Sequence, residues 1–309
     1  MNVFDQAARF AAKSDPAGFF RWLLPDSAPA PEFRGWLDAR TLPWPGEPDR
    51  TCDTVAELLD PAGPAAPWAL AVEFQAEPDP DMLDRLLEYL ARLRRELRHG
   101  PGRRGKFRVA AALVQLTGPP TPDTLDMTWP AGLAIGLRLR IVSRALRDQD
   151  AASTLADIAS GRTSRGLLPW IPLRKGAAKP TMVQRWKQLA EAEPDRRSRA
   201  NDAGLALIFV ELTRHASTWR RALKGWDMRE STVVAEWKAE GKAEGEIEAS
   251  RAKLLRVLEL RLPGQLPAGL ADAVGSQARL DELSRWFDAA VTASSLSSFL
   301  SASGIGRSG

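Results

Sequence analysis

The sequence predicts an α/β fold in its first part, followed by an all-helical C-terminal region. Two apolar runs separated by a turn-rich segment are typical of a β-hairpin, and a long amphipathic helix follows them. A further apolar run has the length and composition of a buried strand. Beyond residue 179 the pattern is helical, with no further strand signal. This order of elements favours helices packed on a sheet, then helices packed on each other.

Composition excludes several classes of protein. Of 309 residues, 44% are hydrophobic and 27% charged, close to globular averages. No segment approaches the roughly 18 consecutive apolar residues of a membrane span. Charged residues interrupt the first twenty positions, so we expect no secretory signal and a cytoplasmic protein. One Cys and two His argue against a disulfide framework and a zinc site.

The N-terminal segment predicts two short helices within residues 3–24, separated by a turn at Asp15 and Pro16. Five prolines follow between residues 27 and 49. That number argues against a continuous helix or a central strand. We therefore expect a covering loop, anchored by aromatic side chains. These anchors are Phe33, Trp36 and Trp44.

The hairpin is predicted from residues 53–59 and 68–75. In an antiparallel pair, opposite residues share a face, and so do residues i and i+2 of one strand. Asp53 then faces Glu73 or Gln75, and the three side chains converge. The length of the connecting segment leaves the register open, and a shift of one residue would move a whole strand to the other face.

A helix is predicted over residues 81–98, with its leucines in one arc that faces the core. Arg85, Tyr89 and Arg92 follow the spacing i, i+4, i+7 and form a strip beside that arc. A buried strand is predicted at 107–116.

The later part of the chain predicts a second strand at 133–142 and then helices at 183–193, 200–215 and 219–237. Residues 236–246 repeat Ala, Glu, Gly and Lys, which is typical of a solvated connector. The predicted units are an α/β domain at 1–178, a helical extension at 179–235, a charged helical linker at 236–250, a small helical domain at 251–300 and a disordered tail at 301–309.

The net charge of +4 is modest, but the basic residues are unevenly distributed. Between residues 92 and 108, eight Arg or Lys residues stand against the single acid Glu96. Such a stretch attracts polyanions such as DNA, although it is also typical of an ordinary solvated surface. The candidate phosphate contacts are Arg92, Arg95, Arg103, Arg104 and Lys106.

Asp53, Glu73 and Gln75 are the candidate catalytic group. Two carboxylates and an amide beside a basic helix suit a hard cation such as Mg²⁺, which prefers oxygen ligands. A metal at Asp53 and Glu73 would support hydrolysis of a phosphate ester, with Gln75 orienting the attacking water or the phosphate. The same pattern also fits a solvated hairpin face, with Asp53 capping a turn. The residues alone leave both interpretations open.

The sequence resembles the Rpn family, the recombination-promoting nucleases and transposase-like proteins of the PD-(D/E)XK superfamily. The resemblance rests on residues 4–25 (FDQAARFAAKSDPAGFFRWLLP), 50–53 (RTCD) and 71–93 (AVEFQAEPDPDMLDRLLEYLARL). Residues 166–173 (GLLPWIPL) and 240–246 (EGKAEGE) are similar to that family's continuation into a C-terminal domain.

The resemblance implies a restriction-endonuclease-like core, with a central mixed sheet flanked by helices, in residues 1–178. It also implies a metal-dependent DNA endonuclease in which Asp53 and Glu73 bind Mg²⁺, or another divalent cation such as Mn²⁺ or Ca²⁺. Arg85 and Tyr89 would support the site. Gln75 stands where the wider superfamily has a catalytic lysine, and Arg85 or Lys106 would then supply the missing charge.

Two alternatives follow from the same residues. Because Gln75 removes a fixed positive charge, the chain could be a catalytically silent nuclease-like protein that binds DNA or a protein partner. A pure interaction protein would instead use the amphipathic helices between Leu254 and Leu300 to form a homo-oligomer.

Overall fold

A mixed β-sheet lies at the centre of the first part of the chain. The computed structural model describes residues 3–25, 29–37, 43–44, 47–51, 54–61, 63, 66–99, 107–128, 136–261 and 267–305. The strands are β1 (Glu32–Leu37), β2 (Pro43–Trp44), β3 (Glu47–Thr51), β4 (Thr54–Leu59), β5 (Trp68–Gln75), β6 (Arg108–Gln115), β7 (Thr124–Thr128), β8 (Gly136–Arg140) and β9 (Val142–Ala145).

Five of these strands form the main sheet, in the order β1-β4-β5-β6-β9. The pairs β1–β4 and β4–β5 are antiparallel, whereas β5–β6 and β6–β9 are parallel. The predicted hairpin is confirmed as β4 and β5, and the predicted strand at 107–116 is confirmed as β6. Together with the helices, this sheet confirms the α/β fold class.

The helices are α1 (Val3–Ser14), α2 (Pro16–Leu23), α3 (Met82–His99), α4 (Ala151–Ala159), α5 (Pro180–Glu191), α6 (Arg196–Val210), α7 (Ala216–Ala222), α8 (Thr232–Arg261), α9 (Ala268–Ser276), α10 (Leu280–Thr292) and α11 (Leu296–Ser303). Two 3₁₀ segments occupy Leu146–Asp148 and Arg165–Leu173. The two N-terminal helices and the helix predicted at 81–98 are confirmed. Asp15 caps α2 by accepting a hydrogen bond from the Gly18 amide at 3.0 Å.

The two faces of the main sheet carry different layers. Even-numbered residues of β5, such as Val72 and Phe74, pack in a core with α1, α2 and the helices after β9. Trp170 lies at its centre and stacks on Phe74 and Phe209, with ring centroids 5.9 and 5.1 Å apart. Odd-numbered residues face the opposite way and pack against the leucines of α3. Because both faces are covered, β5 is buried along almost its whole length.

The prediction of a covering loop at residues 27–49 is wrong for three segments, which form the strands β1, β2 and β3. Strand β1 occupies the proline-free segment after Pro31, at the edge of the main sheet, where flanking prolines remove no central hydrogen bond. Phe33 and Trp36 do anchor this segment, each with its ring centroid 5.6 Å from that of Phe20. Short strands β2 and β3 pair with each other in a separate ribbon.

The strand predicted at 133–142 is also corrected. Residues 136–140 form β8, which pairs with β7 in a two-stranded ribbon, and the main sheet resumes only at Val142. The sequence Gly-Leu-Arg-Leu-Arg alternates, so it suits a ribbon covered on one face rather than a buried strand. Leu139 faces the α3 core, while Leu137 is 42% exposed.

The single helix predicted at 219–237 is two helices. Helix α7 ends at Ala222, and Gly225 adopts φ +84°, a left-handed conformation that glycine adopts without strain. Helix α8 begins at Thr232 and continues through the predicted linker to Arg261.

The chain divides into two compact units, Met1–Val234 and Ala235–Gly309. Helices α5 to α7, which we predicted as a separate extension, contribute to the core of the first unit. The second unit has its own core, which includes Leu254, Leu258 and Phe299. Helix α11 includes residues 301–303 of the predicted tail. In the described part of the chain, no helix is both long and apolar enough to cross a lipid bilayer.

Candidate functional site

The candidate site lies at the edge of the sheet where β5 and β6 both end. Because β5 and β6 are parallel and α3 connects them, α3 runs back along the sheet and begins at this same edge. Two contacts mark the edge. The Leu116 amide donates to the Gln75 carbonyl at 2.8 Å, and Arg85 of α3 forms an ion pair with Asp79, just after β5.

Glu73 and Gln75 lie on the face of β5 that packs against α3, because they share the odd-numbered positions of Ala69 and Ala71. Their exposed fractions are only 2% and 5%. The interpretation of these residues as part of a solvated hairpin face is therefore wrong. A carboxylate buried on a central strand requires a compensating partner or ligand, since desolvating a charge is costly.

The register of the hairpin is now defined. Thr54, the first residue of β4, pairs with Val72, and Val55 pairs with Ala71. The start of β4 therefore lies beside the end of β5 that carries Glu73. Asp53 is the residue before Thr54 in the sequence, but it lies outside the described residues, as does the pairing predicted for it.

Gln115 is a site residue that the sequence analysis missed. It is the last residue of β6, it pairs in register with Gln75, and its odd-numbered position places it on the α3 face. It is 2% exposed. The available signal was a single polar residue at the end of the apolar run RVAAALVQ, which resembles an ordinary strand end.

The side-chain amides of Gln75 and Gln115 lack hydrogen-bond partners among the described residues. The side-chain nitrogen and oxygen of Gln75 and of Gln115 are buried, and none of these four atoms has a hydrogen-bond partner among the described residues. A buried polar group without a partner costs about 1–3 kcal/mol of folding free energy. Native proteins keep few such groups, and those they keep are often functional. Two adjacent ones indicate a place for a polar ligand.

The three residues predicted to form a strip on α3, Arg85, Tyr89 and Arg92, lie in three different environments. Tyr89 is fully buried and belongs to the core-facing surface of α3 rather than beside it, which corrects the prediction. Arg85 is partly buried, with 22% of its side chain exposed, and pairs with Asp79. Arg92 is exposed and pairs with Glu88 at 3.0 Å. The charge suggested for Arg85 is therefore already partly neutralised, and Lys106 lies outside the described residues.

The basic stretch begins farther along α3. Arg92 and Arg95 are exposed, whereas Arg103, Arg104 and Lys106 lie outside the described residues. Arg92 is seven residues beyond Arg85, about 10 Å along the helix axis. A polyanion that lay along α3 would therefore reach both the basic residues and the sheet edge.

The metal prediction involves one described carboxylate and one that is not described. No group of three or more His, Cys, Asp and Glu side chains that could hold a metal occurs among the residues the structure describes. The described donors nevertheless fit a hard cation, because the buried carboxylate of Glu73 lies next to amide oxygens that have no partner there.

A second charged cluster lies in the helical layer on the opposite face of the sheet. Arg165 pairs with Glu193 at 2.8 Å and with Asp202 at 3.2 Å. Burial raises the pKa of Asp202 to about 7, while Arg165 opposes this shift and Glu193 adds to it. This cluster ties the 3₁₀ segment at 165–173 to α6.

Comparison with known proteins adds no relative. The chain matches no protein-family model, no curated protein and no solved structure.

Proposed function

We propose that this protein is a metal-dependent DNA endonuclease of the Rpn type, built on a restriction-endonuclease-like core. The observation that carries the proposal is the burial of Glu73, at 2% exposed, beside the orphaned amide of Gln75. A carboxylate and an amide oriented toward one buried edge of a sheet suit a hydrated divalent cation and a phosphate.

Each residue has a stated role in this proposal. Asp53 and Glu73 would hold Mg²⁺, or another divalent cation such as Mn²⁺ or Ca²⁺. When bound, the metal lowers the pKa of an attacking water and polarises the phosphate. Gln75 orients that water or the phosphate through its amide. Tyr89 is buried in the core on the α3 side of the sheet, and Arg85, held by Asp79, would line the α3 side of the site.

DNA would lie across the start of α3 and along its exposed basic face. Arg92 and Arg95 are exposed there and would contact phosphates, with Arg103, Arg104 and Lys106 following in the sequence. Such contacts position the backbone and carry no sequence information.

The proposal is tested by cleavage of supercoiled plasmid in Mg²⁺, Mn²⁺, Ca²⁺ or EDTA. The wild type is compared with Glu73→Gln, which keeps the shape and removes the charge. The matched control is Glu57→Gln. Glu57 lies on β4, on the same face of the sheet as Glu73, but it pairs with Ala69, which is four residues from Glu73 along β5. We expect cleavage that requires a metal, is lost in Glu73→Gln and is retained in Glu57→Gln.

A catalytically silent nuclease-like protein that binds DNA or a protein partner is the second candidate. It is favoured by one observation, the neutral amide of Gln75 at the position of the superfamily lysine. Such a protein would bind DNA with an affinity that falls steeply with salt, and would release no product with any divalent cation. Plasmid cleavage and a salt series of DNA binding together separate the two candidates.

A further inference from the structure

We propose that Gln115 forms, with Gln75, a pair of amide donors that binds the phosphodiester group of DNA. Each side-chain Nε2 donates a hydrogen bond to a non-bridging phosphate oxygen. This inference rests on the nuclease function proposed above, and it assigns a substrate-binding role to a residue outside the sequence motif.

The register places the two residues side by side at the ends of their strands. Gln75 and Gln115 are register partners at the ends of neighbouring parallel strands, so their backbones are about 4.8 Å apart. Both side chains lie on the α3 face of the sheet, the face that also carries Glu73. Side-chain donors on neighbouring strand ends can reach two oxygens of one phosphate, or one oxygen from both sides.

Burial strengthens the interaction that these two donors would make with a negative oxygen. Gln75 is 5% and Gln115 is 2% exposed, and none of their side-chain nitrogen or oxygen atoms has a hydrogen-bond partner among the described residues. Fixed donors in a place from which water is largely excluded stabilise a negative oxygen far better than donors in water. The two neutral donors would therefore stabilise the phosphate in place of the positive charge that a lysine at position 75 would supply.

A structural role for Gln115 does not account for these observations. Its side-chain amide forms no hydrogen bond with any described residue. Its neighbours on this face include the apolar side chains of Ala111 and Leu113 in the same strand. A methionine has similar length and no amide, so it would satisfy the packing without leaving a polar group unpaired.

The test uses the full-length protein and three variants. Gln115→Met removes the amide, and Gln115→Glu keeps its shape but replaces the donor with an oxygen that carries negative charge when the carboxyl group is ionised. Gln188→Met makes the first change on the exposed surface of α5 and serves as the matched control. For each variant we would measure the single-turnover rate of plasmid cleavage in Mg²⁺, the affinity for a fluorescein-labelled duplex in EDTA, and the thermal midpoint.

We expect Gln115→Met to cleave at least about tenfold more slowly than Gln188→Met and to bind the duplex more weakly, because one donor to the phosphate is lost. Its thermal midpoint should equal or exceed that of the wild type, since an unpaired buried amide is removed. Gln115→Glu should be slower still at pH 8 and should recover as the pH falls, because a protonated carboxyl group donates again.

Equal cleavage and equal duplex affinity in Gln115→Met and Gln188→Met would overturn the proposal while leaving the nuclease function intact. Better cleavage by Gln115→Glu than by Gln115→Met at pH 8 would also overturn it, since the amide would then act through its oxygen. If the wild type cleaves nothing, the nuclease function fails, and the comparison of duplex affinities alone decides the role of Gln115.

Discussion

Thr54 lies directly opposite Val72 across the antiparallel strands β4 and β5, so the first residue of β4 is a neighbour of the strand end that presents Glu73. Asp53 immediately precedes Thr54 in the sequence. We therefore expect Asp53→Asn to fold normally and to lose metal-dependent cleavage, because it removes one of the two charged metal ligands proposed above. The measurement is plasmid cleavage beside a circular-dichroism melt.

The matched control for Asp53→Asn is Asp60→Asn, the same change just beyond the other end of β4. It should retain cleavage. Retained cleavage in Asp53→Asn would contradict the assignment of Asp53 as a metal ligand.

Replacing Gln75 with Lys should accelerate cleavage. The substitution introduces the residue found at this position in the superfamily that the sequence resembles, and an ammonium beside the buried Glu73 carboxylate would stabilise negative charge developing on the phosphate. We expect a single-turnover rate higher by about tenfold or more. Gln188→Lys on α5 is the control. A slower rate in Gln75→Lys would show that the amide itself performs a step that a charge cannot replace.

The hairpin and α3 were predictable because their signals are local. The runs at 53–59 and 68–75 flank a segment rich in Pro and Gly, and the leucines of α3 repeat with the helical period. The register was not predictable, since a connection as long as residues 60–67 allows several pairings. That register decides that Glu73 and Gln75 face α3 and are buried.

The elements that prediction missed depend on tertiary context. The five prolines at 27–49 argue against a strand, but β1 forms at the edge of the sheet, where flanking prolines are tolerated better than in a central strand. Gln115 ends an apolar strand, and only its pairing with Gln75 shows that the two residues lie side by side. The spacing of the leucines predicts Tyr89 beside the apolar arc of α3, but α3 buries a wider arc because the sheet covers it.

Removing two of the exposed arginines of α3, Arg92 and Arg95, should weaken DNA binding. For the double variant Arg92→Gln/Arg95→Gln we expect the slope of log affinity against log salt to fall by about 2, as each lost phosphate contact removes about one released counterion. Fluorescence anisotropy with a labelled duplex in EDTA measures it. Arg147→Gln/Arg162→Gln removes two exposed arginines elsewhere in the first unit and should leave the slope unchanged.

Asp202 should make the protein less stable as the pH rises. Its pKa is raised from 3.8 to about 7 by burial, so the folded state holds a proton that the unfolded chain has released. The contribution is complete below pH 4 and is lost as the pH rises through about 7. At about 1.4 kcal/mol per pKa unit it is on the order of a few kcal/mol.

Urea unfolding of the wild type and Asp202→Asn between pH 4.5 and 8 measures this effect. The free energy of unfolding should decline with pH more steeply in the wild type, since the amide that replaces the carboxyl group in the variant does not titrate. If the wild type instead gained stability with pH relative to the variant, the ion pair with Arg165 would outweigh the burial of Asp202.

Plasmid cleavage by the purified wild type, with Mg²⁺ or EDTA and beside Glu73→Gln and Glu57→Gln, tests the central claim most directly. The nuclease proposal predicts nicked or linear product that requires the metal, disappears in Glu73→Gln and persists in Glu57→Gln. A folded wild type that releases no product with Mg²⁺, Mn²⁺ or Ca²⁺, or a Glu73→Gln variant that cleaves as fast as the wild type, would contradict it.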